Sequence, residues 1–431
     1  MRRAKLALGL VTVGALLTAC SGSGDGEEQG TGSAQDGGGG AEQQAEASQE
    51  PPSIQLSVPS LYDTSRGWES DLEGTQIPLP RSGAVAVYSE QEDGYRFTVM
   101  DAATGEKQWS SVLLQPLGNT NLPYLVSAVG GKEYLVAWSS GTTDADAINV
   151  GREVVSIDIF PVVLDEVPSG SGVEPVHVEV EGEGDVHGLG TGLVVEDDGD
   201  TVVAVDPATG DTTEYQLDEL APPAGCPDCD ADRQVVALTE NGPLLTTVTR
   251  GIDDSGYWVP DGWSAEDLRP DNADPDEEPV VSAVTDNLLL TGWDEAGETD
   301  GFLWHVVDSA SGQTLASIRC EGEQVTTGAG SRLSANGRYL TNGPRVFDLE
   351  TGSGVCYERT ETTHQLRFEI VTDEGMAYGY SWTDDPVQLD MRSGELAEIE
   401  DPTIDFPFGD TAGYGLFWDG VSETMVAYPH A

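Results

Sequence analysis

The sequence predicts an all-β fold, an eight-bladed β-propeller, from three observations. A short phrase recurs along the chain, in which a hydrophobic run is followed by Asp, two or three variable residues and Gly. Copies of the phrase stand about 40 residues apart, or about twice that. The two ends of the chain each hold part of one further unit. A period near 40–50 residues with several short strands per unit is the signature of a propeller rather than a sandwich.

The copies are Asp101-Ala102-Ala103-Thr104-Gly105, Asp206-Pro207-Ala208-Thr209-Gly210, Asp308-Ser309-Ala310-Ser311-Gly312, Asp348-Leu349-Glu350-Thr351-Gly352 and Asp390-Met391-Arg392-Ser393-Gly394. A degenerate copy, Asp63-Thr64-Ser65-Arg66-Gly67, stands near the start. Each reads as a tight turn, because Asp accepts backbone hydrogen bonds and Gly takes positive φ. The gaps from Asp101 to Asp206 and from Asp206 to Asp308 are each about two periods, so each should hide a worn copy. The first is assigned to Glu153–Asp158, with Asp158 as its marker, and the second to Gly256–Val259.

Within a unit four short strands are legible. Ser331–Ser334, a turn at Asn336-Gly337, Arg338–Thr341, Arg345–Phe347 and Val355–Tyr357 make one unit. Leu366–Val371, a turn at Glu374-Gly375 and Met376–Tyr380 open the next. No helical period appears beyond the first twenty residues. At the ends, Ile54–Leu61 offers an outer strand, while Gly413–Trp418 and Thr424–Tyr428 offer inner ones. Together they would form one blade and leave no free sheet edge. The count is then eight, or seven if the Tyr257 region is an insertion.

The fullest copy, Asp101, Thr104, Gly105, Trp109, resembles the repeat of the PQQ-like propeller superfamily. In that repeat the Trp docks on the neighbouring blade. The resemblance implies the same role for Trp109, whereas Glu214, Ala316, Cys356 and Glu398 occupy the docking position in other copies. A disulfide from Cys356 to Cys320, in the preceding blade, is then implied as a substitute for the aromatic lock.

Residues 1–19 read as an export signal. Arg2, Arg3 and Lys5 precede the apolar run Leu6–Leu17, which is too short to span a bilayer. It ends in Leu17-Thr18-Ala19-Cys20, which resembles the lipobox of bacterial lipoproteins and implies acylation of Cys20 by chains such as palmitate. Each buried CH₂ adds about 0.8 kcal/mol, so two or more chains hold a protein firmly on a membrane. Residues 20–50 are rich in Gly, Ser, Gln, Ala and acids and cannot bury enough apolar surface to offset ordering entropy. They read as an acidic tether of roughly 30 Å r.m.s. span, up to about 100 Å when stretched. Residues 51–431 form the propeller domain. The expected location is the extracytoplasmic face of the cell membrane, with an actinobacterial type of composition.

Asp and Glu number 77 against 19 Lys and Arg. Removing the export signal's three basic residues leaves 16, a mature charge near −61. A nucleic-acid partner is excluded on that ground, because such binding needs cationic surface to displace counterions. Cys226, Cys229, Cys320 and Cys356 are even in number, and two disulfides fit an exported protein. Cys226-Pro227-Asp228-Cys229 can pair locally, leaving Cys320 with Cys356. The neighbouring Asp228, Asp230 and Asp232 disfavour the thiolate that a redox-active pair needs. No His stands at zinc-ligand spacing to either pair.

No catalytic, cofactor or metal residue is assigned. The acidic stretch Asp261–Glu278, with Asp271, Asp274, Asp276 and Glu277, has the oxygen donors of a Ca²⁺ loop without its spacing, and reads as a solvated loop. Asp144 and Asp146 read likewise. Of His177, His187, His305, His364 and His430, none accompanies a nucleophile or zincin motif, and His305 reads as core. Tyr257, Trp258 and Trp263 lie in a Gly/Asp/Pro-rich segment, where aromatics either stack on sugars or peptides or pack under their own loop. The expected function is a non-catalytic binding or scaffolding lipoprotein with a protein or cell-wall partner. The alternatives are a glycan-binding or glycan-active propeller and, through the superfamily resemblance, a PQQ-dependent dehydrogenase. The dehydrogenases carry an adjacent cysteine pair, which this chain lacks.

Overall fold

Each Asp-to-Gly phrase closes the hairpin between the third and fourth strands of a sheet. At Asp101, Oδ1 accepts the N–H groups of Ala103 and Thr104 at 3.0 and 2.9 Å, and the Gly105 N–H bonds the Asp101 carbonyl at 2.8 Å. Gly105 adopts φ 72°, a left-handed conformation that other residues resist. Asp308 repeats the pattern with Ser311 and Gly312. The computed structural model describes residues 51–431 apart from 119–120, 144–150, 165–171, 189, 197–199, 224–231, 249–256, 261, 278, 286, 299–300, 322–329 and 360–362.

The strands form eight antiparallel sheets, the blades of a propeller. Blade 1 comprises Thr75–Leu79, Ala84–Gln91, Gly94–Asp101 and Lys107–Ser110, and blade 2 Tyr124–Val129, Lys132–Thr143, Arg152–Pro161 and Val176–Glu181. Blade 3 holds Asp185–His187, Leu193–Glu196, Thr201–Val205 and Thr212–Gln216. Blade 4 has three strands among the described residues, Asp232–Thr239, Gly242–Val248 and Tyr257–Trp258. Blade 5 spans Val280–Glu321, blade 6 Ser331–Cys356 and blade 7 Leu366–Glu398, each with four strands.

Blade 8 is built from both ends. Gly409–Thr411, Tyr414–Asp419 and Thr424–Pro429 pair in order, and Trp68–Ser70 adds the outer strand against Thr424–Pro429. The outer strand is therefore not Ile54–Leu61, as the sequence suggested. That segment packs Ile54, Leu56, Val58 and Leu61 on the core between blades 7 and 8, where the Tyr428 hydroxyl donates to the Ile54 carbonyl at 2.8 Å. Its apolar residues were read as strand pattern, yet they serve as a cover.

The core is not one mass. Eight apolar clusters each lie between one pair of neighbouring blades, including one between blades 8 and 1. The ring closes because every sheet buries both faces against a neighbour. Tyr257–Trp258 is the third strand of blade 4 rather than an insertion, so the count is eight.

Among the described residues, indole locks tie three of the eight interfaces. Trp109 Nε1 donates to the Val162 carbonyl of blade 2 at 2.9 Å, as the superfamily resemblance implied. Trp68 of blade 8 donates to Ala102 of blade 1 at 2.9 Å, and Trp263 after blade 4 donates to Ser309 of blade 5 at 2.8 Å. Each accepting carbonyl lies just past the third strand of the next blade. A Cβ on Gly105 would stand 2.6 Å from the Trp68 ring, and one on Gly312 3.0 Å from Trp263, so the glycines also make room for the indoles.

Register corrects two sequence assignments. Asp158 is not a turn marker, because it sits mid-strand opposite His177, and Pro161, opposite Tyr134 as Asp101 is opposite Ala84, holds the marker place. The docking position is set by pairing rather than by counting. Trp109 pairs with Val99, two residues before the marker, through a bulge at Val99/Met100. In blades 3, 6 and 7 that strand pair has no bulge, so Thr213, Val355 and Ala397 take this register instead of Glu214, Cys356 and Glu398. Ala316 keeps it in blade 5, which has the bulge.

Candidate functional site

The seam gathers a polar cluster that no stretch of sequence contains. Asp410 lies in the innermost strand of blade 8, and His430 follows that blade's third strand. Glu374 sits in the turn between the first two strands of blade 7. Tyr62 arrives from the N-terminal segment, which is stitched to the C-terminus by Asp63 N–H to Pro429 at 2.8 Å and Ala431 N–H to Leu61 at 2.7 Å.

Asp410 Oδ2 receives both the Tyr62 hydroxyl and His430 Nε2, each at 2.8 Å. His430 Nδ1 stands 3.1 Å from Glu374 Oε1. The Asp410 side chain is 4% exposed and that of His430 15%. Tyr62 packs edge-on against Phe417 and His430, with ring centroids 5.2 and 5.3 Å away. Burial pushes the Asp410 carboxyl up, against the pull of His430 and Tyr62. Burial pushes His430 down, but Asp410 and Glu374 outweigh it and its pKa is raised. Burial and Asp410 hold the Tyr62 phenol well above its ordinary range. A carboxylate, an imidazole and a second carboxylate in contact can share protons or chelate a cation.

A second buried ionic group lies where blades 5 and 6 meet. Cys320 and Cys356 are disulfide-bonded, with Cα atoms 5.6 Å apart. Below them the Arg345 guanidinium lies 3.7 Å over the Trp304 ring and 3.7 Å from Glu358. Burial lowers Arg345 to about 10 and raises Glu358, so desolvation outweighs their mutual attraction. Glu358 stands near both sulfurs, but a disulfide has no thiolate to offer a metal.

The sequence candidates disperse. Cys20, Cys226, Cys229, Asp144, Asp146, Asp261 and Glu278 lie outside the described residues. Asp271, Asp276 and Glu277 are exposed, and Arg269 orders their loop by bonding the Asp274 carbonyl and stacking 4.9 Å over Trp293. Among the described residues these acids form no group of three ligand atoms. Tyr257, Trp258 and Trp263 are buried, so none presents a ring to a ligand. His305 is half-buried and its pKa is lowered by desolvation. His177 pairs with Asp158 at 2.7 Å on the open surface. The most exposed indole is Trp382, at 69%, in a loop of blade 7.

Blades 6 and 7 leave a shallow cleft of about 70 Å³ between them, lined by Asp348, Val355, Tyr357, Leu389, Met391 and Gly394 among others. It lies where the indole locks lie elsewhere, since Val355 holds the docking register and Gly394 meets nothing within 4 Å.

The sequence singled out His430 alone as a candidate, gave Glu374 only as a turn residue and did not single out Tyr62 or Asp410. The available signal was the complementarity of the two chain ends, which brings Tyr62 beside His430 as soon as blade 8 is closed.

No protein-family model matches the chain, and no curated protein matches it in sequence. Solved structures similar to it include the β-propeller domain of Cps50 (Swd1) from Myceliophteria thermophila, at 12% identity over 85% of this chain and 100% of that one, with a TM-score of 0.38. BamB from Moraxella catarrhalis shares 11% identity over 84% and 100%, with a TM-score of 0.34. The Dos1 propeller shares 8% over 84% and 95%, with a TM-score of 0.40. These likenesses concern the fold alone.

Proposed function

We propose that this chain is a bacterial lipoprotein of the PQQ-like propeller type, actinobacterial in composition, held on the extracytoplasmic face of the cell membrane through acylated Cys20. Residues 1–19 are its export signal, 20–50 its tether, and the propeller of residues 51–431 binds or scaffolds a protein or cell-wall partner without catalysis. The observation that carries the anchoring is Leu17-Thr18-Ala19-Cys20 directly after a basic and apolar leader. The binding role is supported by a closed ring whose connecting loops are free to vary over a rigid scaffold. No helix among the described residues is long and apolar enough to cross a membrane.

Cys20→Ala tests the anchor and should move the protein from the membrane fraction to the soluble one. Crosslinking in intact cells followed by pull-down tests the partner. A membrane-bound Cys20→Ala protein would defeat the anchoring. Glycan recognition is the second reading. Its stacking residue is Trp382, since Trp258 and Trp263 are buried. Loss of wall-polysaccharide binding in Trp382→Ala would select it over a protein scaffold.

A further inference from the structure

We propose that Glu374, Asp410 and His430 form a divalent-cation site, of the Zn²⁺ class, that fastens the seam of the ring. One ligand atom from each of the three lies within 4.8 Å of the others. They come from blade 7, the innermost strand of blade 8 and the end of the chain, so one ion would tie all three together. A four-coordinate zinc site with ligands at about 2.0–2.2 Å sets its donors about 3.3–3.6 Å apart. Asp410 already faces His430 Nε2, so an ion held there needs Glu374 to leave Nδ1 and swing to the same ring nitrogen. Asp410 and His430 are held by packing and hydrogen bonds, whereas Glu374, 40% exposed on a turn, is the ligand placed to make that move, exchanging its contact with Nδ1 for the ion.

Charge favours a cation. Two carboxylates face one imidazole, and among the described residues no Lys or Arg pairs with either carboxylate. Glu374 Oε2 is buried and receives no hydrogen bond, which leaves an acceptor unmet beside the cluster. Such a group is costly unless something positive meets it. One imidazole with two carboxylates suits zinc and its neighbours better than Ca²⁺ or Mg²⁺, which prefer all-oxygen shells. The cation takes the place of the proton that otherwise sits between His430 and a carboxylate. Tyr62, donating to Asp410, orients that carboxylate from behind.

The test uses the full propeller chain stripped with EDTA and then titrated with ZnCl₂ or CaCl₂ while Tm and bound metal are read. Zn²⁺ should bind one to one at the seam and raise Tm by several degrees, by mass action on the folded state. His430→Gln and Asp410→Asn, which keep shape and hydrogen-bonding capacity, should remove the Zn²⁺ shift, while His177→Ala should leave it intact. The proposal is overturned by an absent Zn²⁺ shift in the unaltered chain. It is equally overturned if the shift survives in His430→Gln, or if Ca²⁺ gives the same shift in both proteins, because either result assigns the effect to the acidic surface at large.

Discussion

Blades 8, 1 and 4 grip their successors with an indole, whereas blade 6 meets blade 7 across an open cleft. Between blades 8 and 1 and between blades 6 and 7 the chemistry is otherwise alike, with four-stranded sheets and a buried apolar cluster between them. The difference is one side chain at one register. Trp109 and Trp68 fill the slot and donate to a backbone carbonyl of the next blade, while Val355, in the same register, leaves it unfilled. Closure is therefore not uniform around the ring. Blade 6 is instead tied backward, to blade 5, by Cys320–Cys356 and the Arg345–Glu358–Trp304 group.

Removing an indole lock should have the largest effect. Trp109→Ala empties a fully packed site and breaks the bond to Val162, so stability should fall by about 3–5 kcal/mol in chemical denaturation. A loss under about 1 kcal/mol would mean that the lock is ornamental.

Cys320→Ser should cost next most. Its bridge spans 36 residues, which corresponds to about 3–4 kcal/mol in the chain-entropy account. Under reducing conditions wild type and variant should converge in Tm. If they do not, the substitution acts through local packing rather than through the bridge.

Val355→Trp sharpens the contrast from the other side. An indole there should fill the cleft and raise stability by about 1 kcal/mol, the usual yield of cavity filling. Destabilisation by the same substitution would show that the cleft is too narrow and that blades 6 and 7 are fastened some other way.

The smallest effect concerns the turn that delivers Trp68. Hydrogen bonds from the Ser65 hydroxyl, Arg66 and the Ser65 N–H hold the Asp63 carboxyl at about 2, below its ordinary 3.8. A depressed carboxyl stabilises the fold above the unfolded value and loses that contribution as pH falls through the folded one. The Tm gap between wild type and Asp63→Asn should thus be constant above pH 4 and shrink toward pH 2. A gap independent of pH would assign it to shape rather than charge.

Much of the ring was legible in one dimension because its information is local. An Asp that accepts the next N–H groups and a Gly that turns left-handed announce the hairpins of blades 1, 3, 5, 6 and 7 within five residues, and the gaps between them point to the rest. The complementary ends announced the shared blade, because an unpaired edge has to be covered. The Cys320–Cys356 bridge was legible from the even cysteine count, although Cys356 does not stand in the docking register that the repeat assigned to it.

What tertiary structure alone decided has a single cause, that contacts across a sheet depend on register. One bulge beside Val99 shifts the docking position by a residue, so counting from the marker misplaces it in blades 3, 6 and 7. Trp263 reads as a loop aromatic until blade 5 stands beside it. Tyr62 and Asp410, 348 residues apart, share a hydrogen bond because closing the ring lays the N-terminal segment against blade 8. Local turn chemistry is written in the chain, and the meeting of side chains from distant strands is set by how the sheets stack.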